Sequence, residues 1–565
     1  MSNKTRWYKD SFIYQIYPRS FCDSNGDGIG DIQGIISKLD YIKDLGAKAI
    51  WLSPIYKSPN YDNGYDISDY RDISPEFGTL DDFKTLVAEM RKRDLKLIMD
   101  LVVNHTSFEH KWFLKSKEST DNEYRDYYFW RKGRGKNGKK PPNNWTSRFG
   151  GSAWTYDEKT KEWYLHLFTK EQPDLNWDNP KVRKEVEDIV NYWLDLGVDG
   201  FRCDVITYIS KREGLPNGKW GLLSRGDEHF THGPNIHKYL NELNKNGFSN
   251  KDTMIVGEGA GVTLEQAIIY TNEENEELDN VFHFEHMETD FYKQAIPRKF
   301  KLKNLKKVFS KWQLGLLQKG WNSLYFENHD FPRSLGRFTG DYKDKRVEAA
   351  KMLAISLYMQ QGTPYIYQGQ EIGMTNYTFS NISEFQDVLV QNIRSVFGVF
   401  EPIFRPLIFK ILKIRARDNA RTPMQWDASE NAGFTEGKPW FYINPNYTTI
   451  NVENELEDKN SILNFYKKLI QYRLGNEVLI NGYYKEYEGK NKDLHVYMRN
   501  YNGVSILVVC NYKNKEVPFK PNPETANKNC KLVLHNYNYD RPILEPMTLR
   551  PYEALVYELN KPKNS

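Results

Sequence analysis

From residue 12 onward the chain alternates between short apolar runs, rich in β-branched and aromatic residues, and longer stretches whose apolar positions recur every three or four residues. That alternation marks repeated strand–helix units around a parallel sheet. Eight strands are predicted, at Phe12–Pro18, Ala49–Pro54, Leu95–Val103, Val198–Val205, Met254–Glu258, Val281–His286, Ser323–Asp330 and Pro364–Gly369. Helices over Leu80–Arg93, Val182–Leu196, Leu302–Gln318 and Arg346–Met359 separate several of them. Eight is the number that closes a (β/α)8 TIM barrel, an α/β fold.

Three intervals break the rhythm. Thr106 to Asn176, rich in Gly, Pro, Trp and Tyr, reads as a subdomain inserted after the third strand. Thr375 to Asn460 is irregular apart from a helical patch near Pro402–Arg417. From Gly482 the pattern turns to hairpin-like strands, clearest at Leu494–Arg499, Val504–Asn511 and Lys531–His535, which reads as a C-terminal antiparallel β-sandwich. The expected division is a barrel in two parts, 1–105 and 177–481, an inserted subdomain at 106–176, and a β domain at 482–565.

Composition narrows the partners. With 79 basic and 75 acidic residues spread along the chain, the net charge of +4 carries no footprint for nucleic acid or a membrane. The one basic run, Arg131 to Lys140, is interleaved with glycines and reads as a solvated loop. An aromatic share of 15% suits flat sugar faces as well as a large core. Four cysteines with no metal-like or disulfide-like spacing, and a polar start at Met1–Lys9, lead to the expectation of a cytoplasmic monomer with no organic cofactor.

In such a barrel, chemistry sits where the strands end. The third strand closes on Asp100-Leu-Val-Val-Asn104-His105, the fourth contains Gly200-Phe-Arg202-Cys-Asp204-Val205, the fifth ends Val256-Gly257-Glu258, and the seventh ends Phe326-Glu-Asn-His329-Asp330. Arg202 and Asp204 are two apart on a strand and share a face, so the guanidinium favours an ionised Asp204. An apolar wall beside Glu258 would hold it protonated as a general acid. One charged and one protonated carboxyl on neighbouring strands, about 5–5.5 Å apart, make a retaining glycosidase pair. Asp330 would steady the transition state, while His105 and His329 would donate to hydroxyls around the cleaved bond.

Those four segments, in that order, resemble the signature segments of the α-amylase family, glycoside hydrolase family 13, and the likeness spans nearly the whole chain. Within the family, Tyr61-Asp-Asn-Gly-Tyr-Asp-Ile-Ser-Asp-Tyr70, Gln172-Pro-Asp-Leu-Asn176 and Arg417-Asp-Asn-Ala-Arg-Thr-Pro-Met-Gln-Trp426 are similar to the oligo-1,6-glucosidases. The resemblance implies Asp204 as nucleophile and Glu258 as acid/base. It implies Asp62 and Arg421 on the outer hydroxyls of the terminal glucose, closing the pocket for exo-action on a small oligosaccharide. Tyr65 and Phe168 would wall the same sugar, with Asp100, Arg202 and His329 around it. In resembling enzymes Val at the position of Val205, and the Gln172–Asn176 variant, accompany α-1,6 preference.

Asp23-Ser-Asn25-Gly-Asp27-Gly28-Ile29-Gly-Asp31 sets oxygen donors at alternate positions with glycine at the sixth, like the start of an EF-hand loop, although position twelve is Gly34. The expectation is a structural Ca2+ on Asp23, Asn25, Asp27, the Ile29 carbonyl and Asp31, a site that resembling enzymes also carry. Rival readings within the same build are activity on dextran, sucrose or trehalose 6-phosphate. Isomerases of this build carry an arginine-rich loop after the sixth strand, where this chain has Phe284-Glu-His-Met-Glu-Thr-Asp290. A catalytically silent carbohydrate-binding barrel would typically have lost a carboxylate that is present here.

Overall fold

The computed structural model describes residues 6–560 except 220, 222–223, 293–295, 341, 389, 391, 393–400, 523, 525–528 and 539–543. Its centre is a ring of eight parallel strands: β1 Ile13–Ile16, β2 Ala49–Leu52, β3 Lys96–Val102, β4 Gly200–Asp204, β5 Met254–Gly259, β6 Asn280–His283, β7 Ser323–Leu324 and β8 Thr363–Tyr367. Each strand pairs with its neighbour in chain order, β1 also pairs with β8, and a parallel bridge between Val281 and Asn322 joins β6 to β7. Residues of β1, β2, β4 and β8 are buried on both faces, so β2 is apolar without alternation, while Arg202 and Asp204 of β4 are buried as an ion pair.

The predicted helices occur as α1 Leu80–Lys92, α2 Pro180–Leu196, α3 Leu302–Gly315 and α4 Arg346–Tyr358. Their ends have local causes. The Thr79 hydroxyl and the Asp82 carboxylate cap one another's backbone at the start of α1. Pro180 sits in the first turn of α2, two residues earlier than the apolar periodicity suggested, because its missing N–H costs nothing there. Gly197 ends α2 in the left-handed region, at φ 106°. The seventh strand is far shorter than Ser323–Asp330: it pairs only over Ser323–Leu324, and Tyr325–Asp330 leave the ladder for the site above it.

After β3, the strands Trp154–Asp157, Glu162–Leu165 and Trp130–Arg131 form a small antiparallel sheet. Bridges from His105 to Asp174 and from Tyr128 to Leu175 return this segment to the barrel mouth. The buried Lys211 ammonium ties the same place down, 2.7 Å from Asp174 and 2.8 Å from the Asn104 side-chain carbonyl. The basic run at 131–140 is almost wholly exposed. After β8, helix α5 Glu401–Arg415 leads back to the barrel mouth, and α6 Ile462–Arg473 packs on the outside.

The C-terminal strands β9 Tyr483–Glu486, β10 Leu494–Tyr501, β11 Val504–Asn511, β12 Asn529–His535 and β13 Ala554–Asn560 form an antiparallel sheet in the order β9-β10-β11-β13-β12. Alternation along them serves two cores. Ile506, Val508, Cys510, Ala554 and Val556 join the barrel core, whereas Leu507, Val509, Leu555 and Tyr557 face a second core with Val517, Phe519 and Leu549. Helix α4 lies between barrel and sheet and is buried from Ala349 to Tyr358. The buried Ser356 hydroxyl hydrogen-bonds the Tyr512 hydroxyl and the His495 ring across that seam. Cys22, Cys203 and Cys510 are buried free thiols, and among the described residues no helix is long and apolar enough to cross a membrane.

Candidate active site

β3, β4, β5 and the segment after β7 deliver their terminal side chains to one cavity of about 290 Å3 at the C-terminal end of the barrel. Asp62, Tyr65, His105, Asp204, Glu258 and Asp330 line it. A larger cavity, about 640 Å3, lies at the other end of the ring among Lys9, Thr253, Asp279 and Trp321, where strands begin. Barrel bottoms carry stability rather than chemistry, so size does not decide between the two.

Arg202 organises the smaller cavity. Its Nη1 lies 2.7 Å from both Asp100 and Asp204, and its Nη2 is 2.7 Å from Glu258. Three carboxyls thus share one guanidinium, and this changes the expected electrostatics. Burial, with Glu258 and Asp100 close by, pushes Asp204 well above the ordinary carboxylate range despite Arg202. The expectation that Arg202 alone keeps Asp204 ionised does not describe the free site. Nor is Glu258 walled by apolar groups: it faces Arg202 and accepts a hydrogen bond from the Val205 amide at 3.0 Å. Asp204 and Glu258 stand side by side on the one guanidinium, at 2.7 Å from its Nη1 and Nη2.

That amide is aimed by strained backbone. Val205 has φ 35° and ψ 38°, a left-handed conformation that a β-branched residue rarely adopts. Val205 is therefore not a plain strand residue; it turns the chain immediately beyond β4 and lines the cavity.

Asp330 stands opposite. Burial would raise its pKa, but His329, Arg417 and Arg421 outweigh that and hold it well below the ordinary range. His329 is fixed between Tyr17 and Tyr65, whose rings stack on it at 10° and 6°, while the Tyr65 hydroxyl hydrogen-bonds its Nε2 at 2.6 Å. Asp100 and His329 are fully buried and act on neighbouring side chains. His105, buried beside Phe168, has its pKa lowered by desolvation to about 4 and is neutral at pH 7. Gln172 Nε2 lies 3.0 Å from it and donates to Asp62 at 3.3 Å.

Of the two arginines in Arg417-Asp-Asn-Ala-Arg421, the one expected at the sugar is Arg421, but that residue lies behind Asp330, 3.1 Å from it and from the His329 carbonyl. Arg417 reaches into the cavity, 3.5 Å from Asp62 and 3.4 Å from Asp330, braced by Asp387 at 2.7 Å. Asp62 and Arg417 therefore meet on the wall of the cavity. Three further groups escaped the reading of the strand ends. Arg148 from the inserted segment meets the Tyr208 hydroxyl and Asp227, and Glu288 with Arg415 lines the far side beside Phe284 and Phe291. Arg148 and Glu288 come from loops and Arg415 from the end of α5, none of which strand periodicity locates.

The Asp23–Asp31 turn is apart from this cavity. Asp23 accepts from the amides of Asn25, Gly26 and Gly28, Asn25 from that of Asp27, and Asp27 from that of Ile29, so the turn curls around its own oxygens. Asp31 caps the helix Ile32–Ser37 through Gly34 and also accepts from Ser24. Among the described residues no three His, Cys, Asp or Glu side chains converge as a metal-binding group.

A model of the α-amylase catalytic domain matches residues 15–482. The oligo-1,6-glucosidase of Bacillus cereus is 52% identical to this chain, over 98% of it and 99% of the relative. Among solved structures, trehalose-6-phosphate hydrolase of Bacillus licheniformis superposes with a TM-score of 0.93 at 44% identity, covering 99% of this chain and all of that one. The isomaltulose synthase of Klebsiella sp. LX3 superposes with a TM-score of 0.95 at 42% identity and the same coverage. Barrel, matched domain and kinship over the full length define a glycoside hydrolase. The chain belongs to the α-amylase family, and within it is an α-glucosidase by its likeness to the oligo-1,6-glucosidases.

Proposed function

We propose that this α-glucosidase cleaves α-1,6 bonds at the non-reducing end of isomaltose and short isomalto-oligosaccharides, with retention of configuration. One observation carries the reading: Asp204 and Glu258, both 2.7 Å from Arg202, line one pocket with Asp62 and Arg417, which meet at 3.5 Å and which we read as its closed end. A closed end admits a terminal glucose and no further sugar beyond it, which makes the action exo. A glucose entering between the two carboxyls parts them, and Arg202 then favours the Asp204 anion. Asp204 attacks C1 while Glu258 gives its proton to the leaving oxygen. Glu258 next takes a proton from water, which attacks C1 and frees Asp204. Asp330, held ionised, binds hydroxyls of the ring as it flattens.

Val205 supports the α-1,6 preference, and so do the relatives named oligo-1,6-glucosidase. The stretch Phe284–Asp290 holds no arginine, which favours hydrolysis over isomerisation of sucrose. Hydrolysis rates measured side by side on isomaltose, panose, maltose, sucrose and trehalose 6-phosphate test this. Isomaltose and panose should lead, and rapid maltose cleavage with none of isomaltose would reject the linkage.

The same reading includes a structural Ca2+ at Asp23, Asn25, Asp27, the Ile29 carbonyl and Asp31, supported by a donor set made only of hard oxygens. Metal analysis of the purified protein, with melting compared in calcium and in EGTA, tests it; no calcium and no change in melting would remove it. The buried free thiols of Cys22, Cys203 and Cys510 support a reducing, cytoplasmic setting.

A further inference from the structure

Helix α5, Glu401–Arg415, presents two unlike faces. Inward, Ile408 and Leu412 pack with Phe379, Ile382, Phe385 and Phe441. Outward, Ile403 is 72% exposed, Leu407 57% and Ile414 42%. Spacings of four and seven residues set those three on one stripe of the helix. Among the described residues eleven large hydrophobic side chains are exposed, and four of them, Phe404 included, lie on this one helix. Such clustering marks a contact surface, whereas scattered exposed apolar residues need no explanation.

Charge selects the partner. Lys410 lies on the same stripe and Lys413 beside it, and neither has a carboxylate partner among the described residues; Lys413 sits over the Phe409 ring. No acidic residue follows Glu401 along the helix. A second copy of the chain, packed face to face through this stripe, would bring two sets of Lys410 and Lys413 into one interface with no acidic residue of the stripe to neutralise them. An anionic lipid surface accepts both features: apolar side chains enter the acyl boundary and the ammonium groups meet the headgroups.

We propose that the outer face of α5 docks on anionic membrane surfaces. The expectation of no membrane partner rested on charge summed over the whole chain, which hides one local face. Since α5 ends at Arg415 and is followed at once by Arg417, both lining the catalytic cavity, docking would hold the pocket mouth next to the lipid.

Cosedimentation of the whole protein with phosphatidylcholine vesicles, with and without about 30% phosphatidylglycerol, tests this. The wild type should pellet with the anionic vesicles and stay in solution with the neutral ones. Ile403→Ser/Leu407→Ser and Lys410→Glu/Lys413→Glu should each lower partitioning at least about tenfold while glucosidase activity and near-ultraviolet circular dichroism stay unchanged. No pelleting of the wild type, or pelleting that both double variants retain, would overturn the proposal. So would a dimer in sedimentation equilibrium that Ile403→Ser/Leu407→Ser dissolves, which would assign the face to a second copy. None of these outcomes depends on which sugar linkage is cleaved.

Discussion

Arg202 serves Asp100, Asp204 and Glu258 at once, so each of these groups depends on what the others do. Replacing Asp204 by Asn should lower kcat about a thousandfold or more while leaving the fold intact, because the amide keeps the shape and loses the attacking charge. Stopped assays with wild type and variant at matched concentrations measure it. Arg417 and Arg421 separate two jobs that share one motif. Arg417→Met removes charge-assisted contacts to the sugar end of the pocket and should lower kcat/KM on isomaltose by about 10–100-fold. Arg421→Met, behind Asp330, should act mainly through melting temperature and kcat. Which arginine reaches the sugar was not legible in the motif, since residues four apart in an irregular segment have no fixed face. Asp204 and Glu258, by contrast, could be placed at the mouth from the sequence because a strand end has one place to point, whereas Asp330 reaches it from a segment beyond its strand. The left-handed turn at Val205 left no trace in its residue type, which argues against such a turn. Glu288 titrates higher than an ordinary carboxyl, its pKa raised by burial to about 7 with Arg415 opposing. As pH rises through that value it becomes a better acceptor beside Arg415. KM for isomaltose should therefore fall between pH 6 and 8 in the wild type, and stay flat in Glu288→Gln.

At the scale of elements, the Asp23–Asp31 turn is held as much by the chain it touches as by its own hydrogen bonds. Gly28 has φ 90°, and a Cβ there would stand 1.9 Å from the Lys438 carbonyl oxygen. The Gly28 carbonyl also accepts from the Trp440 amide, and Asp23 from the Thr435 hydroxyl. Gly28→Ala should cost roughly 2–4 kcal/mol and lower the melting temperature by several degrees, with calcium present or absent. Differential scanning calorimetry reads it. The glycine spacing was visible in the sequence, but the reason for it, a strand of irregular chain some 400 residues on, was not. The apolar periodicity puts the start of α1 at Leu80, directly after the Thr79 cap, but that of α2 at Val182, past the Pro180 that opens it. The seventh strand was overread because its apolar run continues past the last ladder bond, into residues buried by the site instead of by the sheet.

At the scale of the molecule, buried imidazoles and buried carboxyls pull the pH dependence of stability in opposite directions. Burial lowers the pKa of His105, His232 and His286 to about 4 and that of His110 to about 3. In the unfolded chain the same groups titrate near 6.5. Between those values the unfolded state binds more protons at these rings, which favours unfolding as pH falls from about 6.5 towards 4. Burial raises the pKa of Asp66, Glu288 and Glu553 to about 7 and that of Asp279 and Asp418 to about 6, so the folded state binds more protons at those carboxyls over the same range. In melting curves from pH 7.5 to 4.5, the midpoint of His232→Gln should therefore rise relative to that of the wild type as pH falls below 6.5. An unchanging difference between the two across that range would contradict the burial of that ring.

Helix α4 has consequences during synthesis. Strand β8 completes the ring at residue 367, yet α4 is covered on its outer side by β11 and β13, and β13 ends at Asn560. A nascent chain paused at residue 481 would hold a finished ring with Ile355, Ser356 and Leu357 still wet. The final seam can close only when the last strand has left the ribosome, so a stop codon anywhere ahead of Ala554 should yield a product that chaperones retain and proteases clear.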